Sequence, residues 1–346
     1  MRIGILGFVG TAAAVAAVAC GGASPPGFAL GDGGASSSSG STSSGGSSTS
    51  SSSGGSSSGA FGDGGSSSSS SSGGGNGPPL IYAHTDTELY SMDPTSHQLV
   101  DIGPFSDGSG STPTITDLAV DGNGDVWVNS ESAVYKAAVP TGTGTVTLTA
   151  STQLGTTTSF YALGFTPAGT LETAESLIAG DSKGDLYYID QAGSAAPLNL
   201  GSFGAAPGGG TYELSGDIVF YDLNGSPRGL ATVRACKSSS SCTETNDLLV
   251  EVNITALQQA YTSKTPSTSL LQQSLGTGSG YGRLFGVGAW GSSVYAFSRA
   301  SGSSTEAQLI QIDSTGAGTS LQSFPNITAG WSGAGVTTKA QVSVLQ

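Results

Sequence analysis

A five-residue run of alternating character, closed by an acid or an amide, recurs through most of the chain and restricts its fold more than any other feature. It reads Leu89-Tyr90-Ser91-Met92-Asp93, Leu186-Tyr187-Tyr188-Ile189-Asp190 and Leu309-Ile310-Gln311-Ile312-Asp313. Leu249-Val250-Glu251-Val252-Asn253 is a close fourth, and Val134-Tyr135-Lys136-Ala137-Ala138 a degenerate fifth. The closing positions 93, 138, 190, 253 and 313 lie 45 to 63 residues apart. Period-two alternation followed by turn residues specifies strands, and self-similarity at such a period specifies stacked supersecondary units.

Each run is flanked by further strand-like segments. Ahead of it stand "LIYAH", "DVWVN", "SLIAG", "LATVR" and "SVYAF"; after a turn come "LVDIGPF", "TVTLT", "PLNLGSF", "SLLQQSL" and "TSLQSF". Before both comes a strand of small residues: "TDLAVD", "YALGFT", "GDIVFY" and "LFGVGAW". Four meandering strands per unit, the first built of small residues that tolerate crowding, describe a blade of a β-propeller. The first unit, from Leu80, lacks its small-residue strand, whereas "WSGAGVTTK" at 331–339 is such a strand standing alone. The expectation is an all-β fold, a five-bladed β-propeller closed by that last strand. Six or seven blades is the alternative, the long unit at 212–276 being where a blade is most easily miscounted.

Stretches such as "LAVDGNGDVWV" and "GDSKGDLYYID" resemble the NHL and YVTN-type repeats of bacterial propellers. The resemblance covers the strand–turn–strand core of each unit. It implies the fold and no particular activity, because propellers host many unrelated functions.

Ahead of the repeats the chain has two other zones. Residues 1–19, MRIGILGFVGTAAAVAAVA, combine one basic residue, an apolar run and small residues at its end, the pattern of a secretory signal. Ala17-Val18-Ala19-Cys20 resembles the bacterial lipobox, which implies lipidation of Cys20; an ordinary signal cut after Ala19 is the alternative. Gly21 stands where the Gram-negative sorting rule reads Asp as inner-membrane retention, so the outer membrane is expected, with the protein facing periplasm or cell surface. Residues 20–79 are dominated by Ser and Gly and have too little apolar surface to offset ordering entropy. They are expected to form a disordered tether with a root-mean-square span of roughly 40–45 Å. The propeller domain is then 80–346.

That domain carries 22 acidic and 9 basic residues, a net charge of −13. Such an excess of acids opposes nucleic acid and anionic lipid surfaces, both of which are met by Lys and Arg. The expected partners are the membrane through the lipid anchor alone and a protein or glycan on one propeller face. The propeller is expected to be monomeric.

Few constellations carry chemistry. Cys236 and Cys242 flank "KSSSS" and, in an exported chain, pair as a disulfide. A two-thiol metal site lacks further ligands, since both histidines, His84 and His97, lie in the first unit. Asp121, Asn123 and Asp125 match the first three positions of a calcium loop, but Val126 replaces the expected Gly and Ser132 the closing Glu, so a turn is expected. Asp117 and Asp217 occupy equivalent places at the start of small-residue strands. They are candidate ligand-binding acids for a cation or sugar hydroxyls, with solvated surface acids as the plain alternative. No catalytic set, metal site or cofactor motif is found. The reading is a tethered binding module, with a carbohydrate-active hydrolase or lyase acting through carboxylates at the channel mouth as its competitor.

Overall fold

The computed structural model describes residues 80–343, except 110–111, 156–157, 238–240, 243–245 and 300–305. The signal segment, Cys20 and the Ser/Gly tether lie outside the described residues.

The chain is a β-propeller of meandering antiparallel units. The first holds β1 (Ile81–His84), β2 (Glu88–Met92) and β3 (Leu99–Ser106). The second holds β4 (Asp117–Val120), β5 (Val126–Asn129), β6 (Ala133–Ala138) and β7 (Val146–Gln153). Then follow β8 (Phe160–Thr166), β9 (Ser176–Asp181), β10 (Asp185–Ile189) and β11 (Leu198–Ser202). The next unit has β12 (Thr211–Leu223), β13 (Ser226–Cys236), β14 (Leu248–Val252), helix α1 (Ile254–Ser263) and β15 (Leu271–Leu275). Last come β16 (Leu284–Trp290), β17 (Ser293–Ser298), β18 (Ala307–Ile312), β19 (Gly318–Phe324) and the solitary β20 (Gly333–Val336).

The expected closure is present. β20 pairs antiparallel with β1, placing Val336 opposite Ile81 and Gly333 opposite His84. The innermost strands β20, β4, β8, β12 and β16 stand side by side in that cyclic order. At the rim, β3 meets β7 through a short parallel pairing, Phe105 with Val146 and Ser106 with Thr147, which merges two units into one eight-stranded sheet. The alternation pattern did not reveal this junction.

The closing acids of the repeat are turn-makers. Asp93 accepts from the backbone N–H groups of Thr95 and Ser96, Asp190 from those of Ala192 and Ser194, and Asp313 from those of Thr315 and Ala317. Asn253, at the equivalent place, instead caps α1 by accepting from Ala256 N at 2.9 Å. The helix was not anticipated; it buries Leu257 and Ala260 against the core of its own and the preceding unit.

Apolar faces of neighbouring sheets pack against each other. The seam at closure is anchored by Trp331, fully buried, with the rings of Tyr90, Phe297 and Phe324 edge-on at centroid distances of 5.3, 5.4 and 5.5 Å.

Candidate functional site

The axis of the ring is built in layers. These innermost strands place Gly333, Asp117, Ala162, Asp217 and Gly286 at equivalent positions, by their pairing with the second strand of each unit and, for Asp217, by its N–H bond to Thr232 Oγ1. One position further on come Ala334, Leu118, Leu163, Ile218 and Val287.

Asp117 and Asp217 are both fully buried in the first of these layers, so neither is a solvated surface acid. Asp117 accepts from its neighbour Leu118 N at 2.8 Å and, in the next unit, from Leu163 N at 2.6 Å. Asp217 repeats the arrangement with Ile218 N at 2.5 Å and Val287 N at 2.7 Å. The second strand of each unit reciprocates: Asn129 Nδ2 donates to Phe160 O, and Thr232 Oγ1 to Leu284 O. Each aspartate is thus half of a latch that fixes one unit to the next.

The two carboxyls lie close enough to influence each other's ionisation. Burial raises both well above the ordinary carboxyl range, and for Asp117 the neighbouring Asp217 adds to the effect. Two such carboxyls in a dry site favour keeping a proton. Close approach excludes any side chain at Gly333, where a Cβ would lie 2.2 Å from Asp117 Oδ1 and 2.4 Å from His84 Nε2. His84 is itself fully buried and neutral. Burial lowers it to about 4, and its Nδ1 stands 2.7 Å from the Thr85 carbonyl, which places the proton on Nδ1.

Immediately outside the carboxyl layer is a cavity of about 380 Å³, within the range of small-ligand sites. Each unit supplies residues from the start of its innermost strand and from the loop end of its second strand. The contributions are Ser332 with Asp86, Thr116 with Glu131, Tyr161 with Ser182, Gly216 with Arg234, and Phe285 with Arg299. Tyr161 and Phe285 are the extra residues of β-bulges, where the pairing slips between Phe160 and Ala162 and between Leu284 and Gly286. The bulges turn these rings into the cavity. Asp117 and Asp217 do not line it.

Cys236 and Cys242 are joined as a disulfide, as expected. The Glu213 carboxylate lies 3.6 Å from Cys242 Sγ. Asp121 accepts from Asn123 N and Asp125 N, and Asp125 pairs with Lys136 at 2.6 Å, so these residues form a turn.

No family model matches the chain, and no curated protein matches it. Among solved structures it is similar to a protein of unknown function from Bacteroides caccae, at 10% identity over 75% of this chain and 99% of that one, with a TM-score of 0.42. It is similar also to a chain of the nidogen/laminin complex, at 12% identity over 76% of this chain and 99% of that one, with a TM-score of 0.40. A third is the Dos1 propeller, at 14% identity over 68% of this chain and 56% of that one, with a TM-score of 0.33.

Proposed function

We propose that this chain is an exported lipoprotein, anchored through Cys20. Its five-bladed propeller, built of NHL- and YVTN-like repeats, binds a ligand at the axial cavity. The Ser/Gly tether of residues 20–79 holds that propeller clear of the lipid headgroups, with the outer membrane as its location. The observation that carries the binding reading is the cavity itself, to which every unit contributes polar or aromatic side chains. The condition of the two aspartates supports binding over hydrolysis. Their oxygens are already engaged by backbone N–H groups one layer below, and a general acid or base must reach the bond it serves.

The test is fractionation of cells expressing the Cys20→Ala variant. Release of the protein from the membrane to the soluble fraction, or a block in processing, is the expected result. Unchanged membrane association and detergent partitioning would overturn the anchor.

A further inference from the structure

The cavity wall holds four charged side chains, and they are not equivalent. Asp86 and Arg299 neutralise each other at 2.9 Å. Burial pushes Asp86 up, but the hydrogen bonds from Ser332 and Arg299 outweigh it and hold the carboxyl below its ordinary range. Glu131 is met only by hydroxyls, Ser159 at 3.0 Å and Tyr161 at 3.4 Å. The Arg234 guanidinium makes no hydrogen bond among the described residues, and its Nε is buried without a partner. The acid behind it, Asp247, turns Oδ2 to Ser215 Oγ at 2.6 Å and Leu284 N at 2.8 Å; its Oδ1 is buried without a hydrogen bond, and the nearby Arg234 charge acts on it against the effect of burial. One anion and one cation, neither in a salt bridge among the described residues, therefore line the same cavity, on units separated by the one that begins at β8. The same cavity also has an apolar portion, formed by Ile115, Leu214 and Phe285.

We propose that the cavity takes a dipolar ligand, its ammonium set against Glu131 and its carboxylate against Arg234, with an apolar side chain against Ile115, Leu214 and Phe285. This rests on the reading of the propeller as a binding module. A purely anionic ligand meets Glu131, and a purely cationic one meets Arg234. An uncharged ligand covers both charges without pairing either and forfeits part of their solvation. A ligand carrying both signs makes two charge-assisted hydrogen bonds, the strong class. Free α-amino acids and short peptides share this chemistry.

The experiment is calorimetric titration of the full chain in detergent with phenylalanine, the phenylalanine dipeptide, N-acetylphenylalanine and phenylalaninamide. At least one of the first two binds, and removing either charge from it weakens binding by about tenfold or more. Whether the amino acid or the dipeptide binds tighter decides the source. Glu131→Gln erases the penalty for the acetylated analogue, and Arg234→Gln the penalty for the amide. Thermal melts of both variants confirm that they fold. The proposal fails if no zwitterion binds at about 10 mM, if the blocked analogues bind as well, or if neither substitution alters the preference. Binding of methyl glucoside in their place sinks the dipolar ligand and leaves the binding module standing. Chemical conversion of a bound probe sinks the binding module and leaves the ligand class standing.

Discussion

The two ends of the propeller axis are built from the same strands and have opposite characters. At the strand-start end the lining is aromatic, hydroxylic and charged around a cavity of about 380 Å³. Beyond the aspartate layer, Leu118, Leu163, Ile218, Val219, Phe220 and Val336 leave only about 10 Å³, the lower limit for a single water. The carboxyl pair is the boundary between them. The axis is therefore a blind socket and not a channel, and a ligand enters from one face.

Removing the closing strand abolishes the distinction between the ends. Deletion of 331–346 takes out Trp331 and the inner edge of the first sheet. It is expected to eliminate cooperative thermal unfolding altogether, because an unpaired edge and an empty aromatic seam remain. A wild-type-like melt would show that the ring does not depend on β20.

A smaller effect is expected from the apolar end. Leu163→Ala opens a void under the carboxyl layer and should cost about 2–5 kcal/mol in denaturant unfolding, with ligand affinity unchanged. A loss of affinity equal to that at the cavity itself would mean that the two ends are not independent.

The boundary gives the smallest effect and the most diagnostic one. The pair keeps a proton that the unfolded chain releases above the ordinary carboxyl range, so it makes stability fall as pH rises until the pair itself ionises. His84 acts in the opposite sense, since its lowered value of about 4 removes stability as pH falls below roughly 6.5. Burial pushes Asp247 up to about 6, so it too stops contributing a slope above that pH. Comparing the pH dependence of unfolding in the wild type and in Asp117→Asn separates the pair from His84 and Asp247. Asp117→Asn should cost about 1–3 kcal/mol, because an amide accepts from only one of Leu118 N and Leu163 N. It should also remove the fall in stability with rising pH that the pair contributes above the ordinary carboxyl range. An unchanged slope would mean that the pair keeps no such proton.

The sequence was most legible where one strand carries its own signal. Alternation located the third strands, small residues located β4, β8, β12, β16 and β20, and the closing acids located the turns that they do make. Asn253 was misread because Asx side chains serve turns and helix caps alike. The apolar spacing of Ile254, Leu257, Ala260 and Tyr261 was the signal that distinguishes them. The burial of Asp117 and Asp217 left no local trace, because the N–H group that ties each to the next unit is 46 or 70 residues further along the chain. The cavity was illegible for the same reason. It is assembled from bulges and loop ends of separate units, and nothing near Arg234 or Glu131 announces that they share a wall.

The closure by β20 has a mechanical consequence. The chain enters the propeller at β1, which is hydrogen-bonded on both sides, to β20 and to β2. A pull applied through the segment before Leu80 acts along an interior strand. Both ladders must slide together before either gives way, so the load is borne in shear and not as a zipper opened one bond at a time. Had the N-terminal segment supplied the innermost strand, one ladder alone would carry the force.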